Sequence, residues 1–247
     1  MEAVAQDSPG LLVCPPGRFE LDGEPLELPR YLFRGPAGGG EPLRVALFGA
    51  LNGDEPAGAF ALVRFVQLLR EDPEIARGYD LFLYPVCNPS GFVDNTRHSR
   101  NGKDLGGEFW RHSTQPEIRL LESELWSHSF HGLISLHSDH AGDGLYAYAH
   151  GALLTSHVLR PALAAASEFL PVSDWEEIEG LPARNGIIKE RAPAGLHAPP
   201  GSRPRPFEIV LQAARQAPQY VQEAALLVAV RTILCEYRKF IAYGQDL

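Results

Sequence analysis

Glu55, His137 and Glu208 each stand in or just past a strand-like apolar run, and their side chains are of the kinds that cut amides. Catalytic zinc takes three protein ligands plus a water, and two imidazoles with one glutamate is one such set. Glu55 and His137 supply two of its members. Glu208 is the candidate general base: a carboxylate beside a metal-bound water takes its proton and returns it to the leaving amine. Arg97 or Arg100, in a long polar loop, is the candidate to steady the oxyanion. Each residue also has an ordinary use. Asn52-Gly53 starts a turn, Glu55 caps the helix that follows, His137 makes a buried hydrogen bond, and Glu208 pairs with Arg203 or Arg205.

The elements that must position these residues read as alternating strands and helices. Arg44 to Leu51 is almost wholly apolar, as in a strand buried on both faces. Ala57 to Arg70 carries Phe60, Val63, Val66 and Leu69 at helical spacing and stops before Pro73. Asp80 to Val86 is the next strand. Thr114-Gln115-Pro116-Glu117 has the form of a capping box and starts a helix running to about Ser127. Short strands are expected over Gly132–Leu136, Leu145–Ala149 and Phe207–Leu211, with helices over Leu153–Phe169 and Ala217–Tyr243. The alternation predicts one layered α/β domain with a largely parallel sheet. Sites in such sheets gather beyond the carboxyl ends of strands. Asn52 to Glu55, Asn88 to Gly91 and His137 all fall there. Cys87 to Ser113 is long and polar, a length that is usually functional inside a compact domain. Residues 1–40, rich in Pro and Gly, read as an extension with two short strands ahead of a domain over 41–247.

The order of the parts carries a resemblance. Asn52-Gly-Asp-Glu-Pro-Ala-Gly58 after its strand is similar to the first metal loop of zinc carboxypeptidases and related amidohydrolases, where His-x-x-Glu follows a buried strand. Tyr84-Pro-Val-Cys-Asn-Pro-Ser-Gly91 resembles the family's strand and Asn-Pro-x-Gly. Asp104-Leu105 with Gln115-Pro116-Glu117 resembles its Asp-Leu-Asn-Arg segment and the helix start that follows. Leu136-His137-Ser138 resembles the segment giving the last zinc histidine, and Phe207-Glu208-Ile209 the strand of the catalytic glutamate. The resemblance runs from about residue 44 to 240 and points to the metallocarboxypeptidase and succinylglutamate-desuccinylase-like superfamily. It implies an α/β/α sandwich around a mixed, eight-stranded sheet and zinc-dependent cleavage of peptide or N-acyl amino-acid amides. Glu55 and His137 would bind the metal and Glu208 would act as base.

Two positions depart from that pattern. Asn52 stands where the family has a histidine, and a neutral amide is a weak third ligand. Asp54, Asp139 and His140 are the nearest substitutes by sequence. The family's Asn-Arg pair, which clamps a terminal carboxylate, reads Gly106-Gly107. Lys103 and Arg111 crowd the same loop and, with Tyr146, are the substrate-binding candidates. The departures open a second reading: an inactive member that binds a peptide or small ligand in the former cleft.

Composition bounds the alternatives. Of 247 residues 45% are apolar and 21% charged, an ordinary globular balance. A net charge of -9 argues against a nucleic-acid partner. No apolar run is long enough for a membrane span. The three scattered cysteines form no disulfide framework, and with no leader-like segment visible a cytoplasmic setting is expected. There is no Gly-x-Ser-x-Gly elbow, phosphate loop or dinucleotide fingerprint.

Overall fold

The computed structural model describes residues 10–139, 142–190 and 195–244. It opens with a hairpin of β1 (Leu11–Leu21) and β2 (Glu24–Arg34), followed by β3 (Leu43–Gly49), α1 (Pro56–Glu71) and β4 (Tyr79–Tyr84). A short helix α2 (Pro89–Asp94) and the longer α3 (Pro116–His128) lead into β5 (Gly132–Asp139) and β6 (Tyr146–Ala149). Helix α4 (152–166) contains a π turn at Thr155–Leu159. Three short strands, β7 (Glu177–Ile178), β8 (Leu181–Arg184) and β9 (Ile187–Ile188), precede β10 (Phe207–Ala214) and α5 (Gln219–Gly244).

The strands form one ten-stranded mixed sheet in the order β1-β2-β4-β3-β5-β10-β6-β9-β8-β7. Its centre, β4-β3-β5-β10, is parallel. The eight strands that the resemblance implies are exceeded because the chain builds β7 to β9 out of the Pro-rich stretch, where the sequence reads as irregular. The amino-terminal hairpin is longer than its Pro and Gly content suggests. It joins the sheet through β2 and β4 (Phe33 opposite Leu81), and Leu11, Tyr31 and Phe33 share the main core.

Alternation along the strands sorts the side chains into two layers. Val45, Leu47, Ile134, Leu136, Ile209 and Leu211 face α1, α4 and α5. Ala46, Phe48 and Leu133 face the other way, where Ile118, Leu121 and Leu125 of α3 cover them. Helices on both faces make this an α/β/α sandwich. Full burial of each such Leu, Ile or Phe is worth roughly 1.5–3 kcal/mol, so the sheet centre is the rigid part on which the loops stand. Two glycines set how closely the loops approach. A Cβ on Gly58 would lie 2.5 Å from the Leu136 carbonyl, so only glycine lets the first turn of α1 press on β5. A Cβ on Gly53 would lie 2.0 Å from the Gly91 carbonyl carbon, so the loop after β3 is packed backbone to backbone against α2.

Candidate functional site

Glu55 ends the loop after β3 and His137 is the sixth residue of β5; the Gly58 contact brings them together. His137 Nδ1 lies 3.0 Å from Glu55 Oε2. Glu55 is 1% exposed and His137 6%. The Ser138 backbone N–H donates to the same oxygen at 3.2 Å. Asn52 Nδ2 donates to Oε1 at 2.7 Å, and Arg97 Nη1 stands 3.6 Å from Oε1. Glu55 occupies the N-cap position of α1, but its side chain makes no cap hydrogen bond. It is committed to the cluster instead. An ionised carboxylate only accepts, so the Nδ1 facing it carries the ring proton.

Arg97 reaches this cluster because its backbone is pinned. Its carbonyl accepts from Gly53 N and from Asn88 Nδ2, both at 3.3 Å, and Asn88 caps α2 by accepting from Gly91 N. The guanidinium is half exposed and also lies 3.8 Å from Asp104. Arg100, the other oxyanion candidate, is turned away into ion pairs with Asp94 and Glu24. Those bonds, led by the one to Asp94, raise its already high pKa, so it stays charged and bound there. Lys103 and Arg111 are exposed on the same loop. Tyr146 is fully buried and its hydroxyl donates to Asp139 at 2.6 Å, so it packs beneath the site. Burial first, then the Asp139 charge, pushes its phenol pKa up.

Glu208 is elsewhere. In the parallel pairing of β10 and β5, Glu208 lies opposite Leu133, while Gln212 lies opposite His137. Four residues of strand separate the two positions by roughly 13 Å. Glu208 accepts from His197 Nδ1 and from the Ala198 N–H, both at 3.1 Å, with Arg205 at 3.5 Å. Its pairing with Arg205 is the ordinary use that the sequence allowed. The role of base beside His137 is therefore corrected by register. The β10 residue on that level is Gln212, whose buried Oε1 has no hydrogen-bond partner. Sequence reasoning missed Gln212 because β10 was expected to end at Leu211, and it runs on to Ala214.

The donor set among the described residues does not suit a catalytic zinc. Among the described residues no group of three His, Cys, Asp or Glu side chains is disposed to hold a metal. Among these residues only one imidazole and one carboxylate meet, and both Glu55 oxygens already face N–H donors, with the Arg97 guanidinium also beside Oε1. The candidate substitutes that are described are engaged elsewhere. Asp54 pairs with Arg215 at 2.6 Å and Asp139 accepts from Tyr146, while His140 lies outside the described residues.

No family model matches the chain, and no curated protein matches it in sequence. Solved structures do. A proposed metallopeptidase from Shewanella amazonensis SB2B is 20% identical with a TM-score of 0.70, covering 89% of this chain and 86% of that one. The metallo-carboxypeptidase from Burkholderia cenocepacia is 13% identical with a TM-score of 0.68, over 97% of this chain and 67% of its own. The chain has the metallocarboxypeptidase fold. A metallo-carboxypeptidase from Pseudomonas aeruginosa, solved with (2-guanidinoethylmercapto)succinic acid, gives 0.64 at 13% identity, over 95% and 66%. At such identities the likeness speaks for the fold. No helix among the described residues is long and apolar enough to cross a membrane.

Proposed function

We propose that this metallocarboxypeptidase-fold chain binds a peptide or N-acyl amino acid in the cleft above the parallel strands and does not hydrolyse it. One observation carries the reading: the Glu55 carboxylate is an internal counter-charge, held by Asn52, His137 and the Ser138 N–H with Arg97 beside it. A neutral amide, Gln212, on the level of His137 supports it, because an amide takes no proton from water at neutral pH. The half-exposed Arg97, with Lys103 and Arg111 on the same loop, offers cationic groups to a ligand carboxylate.

The test is titration of the full chain with N-acyl amino acids and short peptides, with and without chelator, beside an amide-hydrolysis panel. Binding that chelator leaves unchanged, with no turnover, is the expected result. The competing reading is a zinc-dependent hydrolase using Glu55, His137 and Asn52. It is favoured by the 3.0 Å approach of Glu55 and His137 in this fold. It would be preferred over ours if chelator abolished binding or if any amide were cleaved in a zinc-dependent way.

A further inference from the structure

The opposite end of the sheet holds a cavity of about 660 Å³, within the range of small-molecule pockets. Phe207 and Val210 of β10, Tyr148 of β6, and Tyr237 and Phe240 of α5 line it. The rings form a continuous wall, with Phe207 and Tyr237 centroids 4.4 Å apart and Tyr237 and Phe240 6.5 Å apart. Leu153, 61% exposed, stands at its mouth.

The polar lining is mixed: His131, His150 and His197 stand with two carboxylates and Arg205. Glu208 and Glu190 line the cavity, and Tyr148 donates its hydroxyl to a third carboxylate, Glu179. Arg205 is the one lysine or arginine among the described lining residues. It holds Glu208 at 3.5 Å from a side chain that is 61% exposed, whereas the Glu208 side chain is only 14% exposed. A mostly covered carboxylate that meets His197, the Ala198 N–H and a solvent-borne guanidinium offers a cation a place whose present charged occupant can move. Aromatic faces beside it add the attraction of ring quadrupoles for positive charge. The geometry points to a second binding site here, for a primary amine with an aromatic or branched apolar body. The ammonium takes the place of the Arg205 guanidinium on Glu208, and the body lies along Phe207, Tyr237 and Phe240.

The probes are 2-phenylethylamine, 2-phenylethanol and 3-phenylpropionate, which share a ring and differ in head group. They are titrated calorimetrically into the full chain, into Arg205→Ala and into Tyr237→Leu. The amine is expected to bind about tenfold more tightly than the alcohol. Arg205→Ala, at an exposed side chain that should leave folding intact, should tighten the amine by about threefold because it removes the competing cation. Tyr237→Leu should weaken it about tenfold. Absence of amine binding, equal binding of the alcohol, or loss of binding in Arg205→Ala with the carboxylate as best ligand would overturn the proposal. The last outcome would make the pocket an anion site anchored by the arginine.

Discussion

Two glutamates at opposite ends of the same parallel strands are held by nearly the same set of partners. Glu55 meets a histidine Nδ1 at 3.0 Å, a backbone N–H at 3.2 Å and an arginine at 3.6 Å. Glu208 meets a histidine Nδ1 at 3.1 Å, a backbone N–H at 3.1 Å and an arginine at 3.5 Å. The difference lies in what surrounds them. Glu55 is almost fully covered, so its charge is met inside the protein. Glu208 opens on a cavity walled by aromatic rings. A carboxylate, imidazole and guanidinium brought together thus do not define a function. Burial decides whether the carboxylate faces a ligand or the protein interior.

The comparison is broken most violently through the backbone. Gly53→Ala forces a Cβ into the Gly91 backbone and should cost about 4 kcal/mol or more in urea unfolding, because no flexible side chain is there to yield. A loss below about 1 kcal/mol would mean that the loop carrying Asn52 and Glu55 is not packed as described. Next is Glu55→Ala, which leaves His137 and Asn52 without their buried acceptor and should cost about 3–5 kcal/mol. Glu208→Ala, at the more open end, should cost about 1–2 kcal/mol. Equal losses would erase the distinction between the two ends.

The strand ends that position the cluster were legible in the sequence. Apolar runs before Asn52 and around His137 identified the buried parallel strands, and sites collect at their carboxyl ends. Glu55 and His137 were found this way and do meet. Glu208 is singled out by the likeness of Phe207-Glu208-Ile209 to the strand of a catalytic glutamate, but which residue of β10 stands level with His137 is a matter of register. Register follows from tertiary pairing and does not appear in a single strand's pattern. The extra strands β7 to β9 were hidden for a related reason: pieces of two to four residues inside a Pro-rich stretch leave too little periodicity to read. At the Thr114-Gln115-Pro116-Glu117 segment the helix forms as expected, but Gln115 is its N-cap and Glu117 is buried.

Glu117 sharpens the comparison as a buried carboxylate with neither histidine nor arginine among its hydrogen bonds. Its Oε1 faces Ser90 and its Oε2 has no partner. Burial raises its pKa, only partly offset by hydrogen bonds from its own backbone N–H and from Ser90. A carboxyl whose folded pKa lies above its unfolded value stabilises fully below the unfolded value. That contribution is lost as pH rises through the folded value. Glu117→Gln should therefore flatten this part of the pH–stability profile and gain about 1 kcal/mol at neutral pH, read by urea unfolding from acid to neutral conditions. A profile unchanged by the substitution would contradict the assignment.

The central claim is that Glu55 serves as a counter-charge and not as a metal ligand. Elemental analysis after incubation with zinc and desalting tests it directly, with Asn52→His run alongside. The account predicts no retained zinc in the natural protein and stoichiometric zinc in the variant, where an imidazole replaces the amide that donates to Glu55. Stoichiometric zinc in the natural protein would contradict it.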